Sequence, residues 1–131
     1  MSQADYRWML LDGHVELFNR HRANNYPPSS NIFGDESISR WCGNGGEYID
    51  VGLPQVTVID RKPESGLEIQ NVCDANSGII MALKLVKGAG YNDTSNGLNH
   101  GTNVLIDLLQ PCSNTFKHRI DVVADSYFAS I

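Results

Sequence analysis

The sequence predicts a mixed α/β fold, and three observations carry that expectation. Arg119 to Phe128 reads as a buried β-strand that delivers an acid, Asp125, at its C-terminal end. Gly66 to Cys73 and Ile79 to Val86 are two apolar runs joined by Asp74-Ala75-Asn76-Ser77-Gly78, the composition of a hairpin turn. Between Asp5 and Arg22, and again between Thr102 and Leu109, apolar residues recur at helical spacing. The resulting order is helix, strand, hairpin, helix, strand.

In the first helix Trp8, Met9, Val15, Leu17 and Phe18 form the apolar side, with charged residues expected on the other. It should stop before Asn24-Asn25-Tyr26-Pro27-Pro28, because the proline pair forces an extended or turn backbone. Asn31 to Gly34 then makes a short strand with Asp35 at its tip. Trp41 to Tyr48 is dense in glycine and reads as a loop or insertion, and strand-like composition returns from Leu53 to Ile59. The hairpin follows and should be antiparallel. Gly88 to Asn99, rich in Gly, Asn and Ser, is expected to be a mobile linker. Thr102, Val104, Leu105, Leu108 and Leu109 mark an amphipathic helix closed by Pro111, and the final strand comes after it. No internal repeat is visible.

The 131 residues suit one domain or a piece of one, and an apolar share of 41% argues against wholesale disorder. Ten basic against 15 acidic residues leave a net charge of −5, the wrong sign for holding DNA by phosphate neutralisation alone. Cys42, Cys73 and Cys112 are far apart and never form a Cys-x-x-Cys pair, so reduced thiols are expected rather than a disulfide framework or a zinc knuckle. The N-terminal residues lack a basic segment leading into a long apolar run, and no window reaches membrane-spanning length, so an intracellular protein with no membrane partner is expected. Asn92-Asp93-Thr94 then matches a glycosylation acceptor by chance.

Asp35 and Asp125 carry the strongest local chemical argument. In open α/β sheets function gathers outside the carboxyl ends of the strands. If the two strands lie side by side and parallel, both carboxylates emerge at one edge within reach of one Mg²⁺. Acids at strand ends also serve as helix caps and turn formers, and spacing alone leaves that reading open. Asp74-x-Asn76-x-Gly78 resembles the start of a calcium loop, yet Ile79 and Leu85 stand where that loop needs glycine and a bidentate acid, so a hairpin turn is preferred. Gly43-Asn44-Gly45-Gly46 is followed by no Lys-Ser/Thr and reads as a loop rather than a phosphate cradle. His14, His21, His100 and His118 show no metal spacing. Arg40 and Arg61-Lys62-Pro63 offer local positive charge that a solvated turn would also explain.

Asp35-Glu36-Ser37-Ile38-Ser39-Arg40-Trp41, Gly52-Leu53-Pro54, Arg61-Lys62-Pro63, Gly66-Leu67-Glu68-Ile69-Gln70, Ser77-Gly78 and Ala124-Asp125-Ser126-Tyr127-Phe128-Ala129-Ser130 resemble, in order, the core of piggyBac-type transposases. The resemblance runs from about Tyr26 onward, which divides the chain into a preceding helical segment, 1–25, and a partial transposase core, 26–131. It implies an RNase H-like mixed sheet, with Asp35 and Asp125 matching the family's first two catalytic aspartates and both ligating Mg²⁺ or Mn²⁺. It also implies a nuclear protein that cuts double-stranded DNA at transposon ends by metal-activated water and joins the freed 3′-hydroxyl to a target. The family's third metal-binding acid lies well beyond the second. The expectation is therefore a truncated transposase-derived chain, weak in metal binding, inactive on its own and prone to self-association through an exposed sheet edge at Arg119 to Ala124. Two alternatives stay open: an active transposase or nuclease whose third acid comes from a longer chain or a partner, and a domesticated non-catalytic interaction protein.

Overall fold

The computed structural model describes residues 3–40, 57–59, 64–87, 95–115 and 119–129. The glycine-dense segment Trp41–Tyr48, the beginning of the Leu53–Ile59 run, Arg61-Lys62-Pro63, most of the Gly88–Asn99 linker and His118 lie outside the described residues. Helix α1 spans Gln3–Asn25. Its last turn is closed by Asn25, whose Nδ2 donates to the His21 carbonyl at 2.8 Å, and by Tyr26 N–H donating to the Arg22 carbonyl at 3.0 Å. Pro27 and Pro28 then supply no further N–H donor.

The expected segregation of α1 into an apolar and a charged face is not found. Trp8 is buried, but Leu10 and Leu17 are 60% and 57% exposed. The helix docks instead through a polar side chain. Asn19 Nδ2 donates to the Leu83 carbonyl at 2.9 Å, and Leu83 N–H donates to Asn19 Oδ1 at 2.8 Å. One amide thus satisfies both main-chain groups on the outer edge of a strand, which blunts that edge against other chains.

Five strands form one sheet: β1 Asn31–Arg40, β2 Thr57–Ile59, β3 Glu64–Asp74, β4 Ile80–Leu85 and β5 Asp121–Ala124. β3 pairs antiparallel with β1 along one side; on its other side β2 takes Glu64–Gly66 and β4 takes Ile69–Cys73. β5 runs parallel to β1 on the far edge. The hairpin is as expected, with Gly78 at φ 74° in its turn, where a left-handed backbone favours glycine. β1 differs. It does not stop at Gly34 but continues to Arg40, because β3 is long enough to pair with it all the way to Gly66. Asp35 therefore sits inside β1, at the point where the parallel partner ends.

β5 is shorter than the run Arg119 to Phe128 suggested. Ser126–Ala129 turns into a short helix, and Val123 is 69% exposed, so the strand is half-buried rather than buried. Among the described residues its outer edge has no strand partner.

Helix α2, His100–Leu109, is capped by Asn99, whose Oδ1 accepts from Thr102 N–H at 2.8 Å. It passes into a 3₁₀ segment, Gln110–Thr115, and the short helix Ser126–Ala129 is α3. Strand alternation puts Ile32 and Gly34 of β1 on one face with Val72 of β3 and Ala82 of β4. Val104 and Leu108 of α2, Met81 and Phe128 complete the core there. Along the same face the next residues are Glu36, Gln70, Glu68 and Lys84, so the layer beneath α2 changes from apolar to polar. Among the described residues no helix is long and apolar enough to cross a membrane.

Asp74 closes the hairpin from inside. It is 1% exposed and accepts from Ser29 N–H at 2.9 Å, Ser77 N–H at 3.0 Å and the Ser77 hydroxyl at 2.7 Å, as well as from the Ser29 hydroxyl. Burial alone would raise its pKa, but these four donors outweigh it and hold the carboxyl down at about 2. Its role is to tie the segment before β1 to the β3–β4 turn.

Candidate metal centre

Gly34 of β1 lies opposite Ala124 of β5 as the last pair of the parallel ladder, so Asp35 and Asp125 are the next residue on each strand. Parallel strands carry their chains in one direction, and both carboxylates emerge at the same edge. Asp125 is held from its other side by α3, where Phe128 is buried in the core and its N–H donates to the Asp125 carbonyl at 3.2 Å. On β1, Asp35 Oδ1 accepts from Glu36 N–H at 2.9 Å. The carboxylate thus takes up a main-chain donor at the point where β5 has ended.

A third acid joins them. Carboxylate oxygens of Asp35, Glu36 and Asp125 lie within 4.8 Å of one another. The sequence reading named Asp35 alone, as the tip of the short Asn31–Gly34 strand and the match to the family's first aspartate, and assigned Glu36 no role. Past Gly34 that edge of β1 is vacated by β5, and the longer glutamate chain turns toward it. Adjacency in the Asp-Glu-Ser block was the one available signal.

Glu36 is half-buried, whereas Asp35 and Asp125 are exposed. Its pKa is raised, first by burial, then by the negative charges of Asp35 and Asp125, with a smaller contribution from its hydrogen bond to Asp35. Glu68 is pushed up in turn by burial and by Glu36. Such mutual repulsion is what a cation would relieve. The donors are all carboxylate oxygens, the set preferred by Mg²⁺, Mn²⁺ and Ca²⁺ over softer metals. The residues present therefore fit a hard divalent cation.

Cys73 and Cys112 are free and buried, and burial raises both thiol pKa values, Cys73 being pushed further by Asp35. Both are poor nucleophiles at neutral pH.

A mixed sheet with a parallel ladder at one edge, an antiparallel hairpin at the other and α2 packed over it is the arrangement of a partial RNase H-like fold. Residues 13–131 match the family described as Transposase IS4, and the chain belongs to that family. Its structure is similar to a piggyBac transposase solved by cryo-electron microscopy in a synaptic complex with hairpin DNA, with a TM-score of 0.71 and 22% sequence identity. The similarity covers 100% of this chain and 27% of that one, so this chain spans about a quarter of the length of that transposase. No curated protein matches it. The family and the fold agree with the resemblance read from the sequence: this is a transposase-derived chain with a piggyBac-like fold.

Proposed function

We propose that this chain carries part of the metal-dependent catalytic core of a DNA transposase, with Asp35 and Asp125 as ligands of Mg²⁺ or Mn²⁺ and Glu36 as a third oxygen donor beside them. The observation that carries the reading is the convergence of the three carboxylates at the end of the β1–β5 ladder. Bound there, the cation would activate water and stabilise charge on a phosphodiester. The chain's own part is positional. The ladder fixes the two aspartates side by side, α3 anchors the second through Phe128, and Glu36, its pKa raised by burial and by the two aspartates, offers a third oxygen. The substrate is double-stranded DNA at transposon ends, which places the work in the nucleus.

Binding by this chain alone is weak, because Mg²⁺ keeps most of its waters unless substrate phosphates complete its shell. Adding Mn²⁺ to labelled protein tests the reading directly. Paramagnetic broadening should centre on Asp35, Glu36 and Asp125 and vanish in Asp125→Asn. Broadening spread evenly over the acidic surface would sink it.

A further inference from the structure

We propose that Asn96-Gly97 is a self-modifying site, at which the asparagine loses ammonia to give aspartate and isoaspartate and so releases a latch on the first turn of α2. The sequence contains two Asn-Gly dipeptides, Asn44-Gly45 and Asn96-Gly97, and the second lies among the described residues. The reaction is intramolecular. The main-chain nitrogen of the following residue, once deprotonated, attacks the asparagine Cγ, and glycine leaves that nitrogen least hindered because it carries no Cβ.

Three observations suit Asn96 to this chemistry. Ser95 to Asn99 are exposed, so hydroxide and water reach the turn. Gly97 lies in the left-handed region at φ 77°, and the space where a Cβ would stand is open, with no atom within 4 Å. Asn96 Oδ1 accepts from Leu98 N–H at 3.1 Å and from Asn103 Nδ2 at 3.2 Å. Two donors on a carbonyl oxygen draw electrons from its carbon, and the same donors can meet the negative charge this oxygen carries after attack.

The Gly97 N–H gives its proton to hydroxide, and the nitrogen bonds to Asn96 Cγ. The bond from Cγ to Nδ2 then breaks, and Nδ2 departs as ammonia with a proton drawn from water, which restores the hydroxide. Water adds to the resulting succinimide at either of its carbonyls. Opening at Cγ gives aspartate. Opening at the main-chain carbonyl gives isoaspartate, whose backbone runs through the side chain and is longer by a methylene. The net reaction consumes water and releases ammonia.

The group removed is a structural donor. Asn96 Nδ2 donates to Asn103 Oδ1 at 2.7 Å, the return half of a reciprocal amide pair that ties the turn to the start of α2. Asn103 N–H in turn donates to the Asn99 carbonyl at 3.1 Å, at the opening of the helix. A carboxylate has no N–H to give, so one of its oxygens is set against Asn103 Oδ1 and the pair becomes one-sided. The next residue, Val104, belongs to the buried core, so loosening this turn reaches the packing of α2 on the sheet. The site is independent of the acidic centre and of the transposase reading.

The test ages the whole chain at mildly alkaline pH and maps its peptides by mass spectrometry, with hydrogen exchange measured on the same samples. The peptide carrying residue 96 should gain the mass of an NH₂-to-OH exchange as separable aspartate and isoaspartate forms, ahead of every other described asparagine and at a rate rising with hydroxide. Exchange at the Asn103 amide should quicken about threefold or more, the worth of one hydrogen bond. Asn96→Gln, whose longer side chain cyclises far more slowly, should age without this change. Asn103→Ala should show the faster exchange at the start of α2 from the outset and gain little on ageing, which separates loss of the latch from general damage. An Asn96 that survives while another described asparagine converts would overturn the site. Conversion with unchanged exchange at Asn103 would overturn the latch.

Discussion

Asp35 and Asp125 meet because each is the residue after the last pair of a single parallel ladder, Gly34 opposite Ala124. Their approach is set by the backbone pairing of β1 and β5, and both side chains are exposed, so they can be changed with little cost to the fold.

Asp125→Asn should weaken Mn²⁺ binding about tenfold or more while changing stability by no more than about 0.5 kcal/mol, as expected for an exposed position. Isothermal titration and urea melts on the same samples measure the two effects. A loss of stability well beyond that range would show that Asp125 holds the fold together.

Glu36 makes the centre sensitive to pH. Its folded-state pKa lies above the ordinary 4.5, through burial first and the neighbouring charges of Asp35 and Asp125 second. In the window above 4.5 the folded chain keeps a proton that the unfolded chain has lost. Stability from this group is therefore full below that value and declines as pH rises through the folded-state pKa. Glu36→Gln should remove the decline and make the protein slightly more stable at neutral pH. Divalent affinity should climb through the same window, since the cation must displace the proton. Melting temperatures at several pH values with and without Mg²⁺ decide it; a wild-type profile parallel to that of Glu36→Gln would refute the coupling.

Much of this arrangement was legible in the chain because it is written locally. The β3–β4 hairpin follows from two apolar runs around Asp74 to Gly78, and Asp125 follows a strand that ends at Ala124, whereas Asp35, read as the tip of a short strand, lies inside a longer one. Other parts depend on distant residues. Ser37, Ser39 and Arg40 have no strong strand preference and extend β1 only because β3 pairs with them. Glu36 joins the acids only because β5 stops at Ala124. Asn19 shows no local sign that it will meet Leu83.

Asp74 should govern acid stability. Its folded-state pKa of about 2 lies below the ordinary 3.8, so its contribution is complete above the unfolded value and disappears as pH falls through the folded one. Asp74→Ala strands donors of Ser29 and Ser77 and should cost about 2 kcal/mol or more at neutral pH. Asp74→Asn, with one oxygen acceptor in place of two, should lie in between. Denaturant melts at neutral and acidic pH test this, and the gap between wild type and Asp74→Ala should narrow as pH approaches 2. A gap independent of pH would mean that the carboxylate charge plays no part.

Asn19 is the clasp of α1. Asn19→Ala removes both bonds to Leu83 and leaves two main-chain groups of β4 without their partner, a loss of about 1 to 2 kcal/mol. Hydrogen exchange at the Leu83 amide should accelerate in the variant more than at Val72 in the centre of the sheet. Equal acceleration at both sites would indicate global destabilisation rather than release of the helix.

Among the described residues β5, unlike β4, has no such clasp. Among the described residues its outer edge is unpaired, Val123 is 69% exposed, and Phe33, the partner of Val123 in the ladder, is 38% exposed on the same face. An open edge beside exposed apolar side chains is a template for another strand. The chain should therefore self-associate with rising concentration, and Val123→Lys should reduce that association by placing a charge where a second copy would dock. Val123 makes no contribution to the buried core, so the substitution should leave the melting transition nearly unchanged. Light scattering over a concentration series reads the outcome. A wild-type chain that stays monomeric throughout, or a Val123→Lys chain that associates equally well, would show that the β5 edge is not the surface involved.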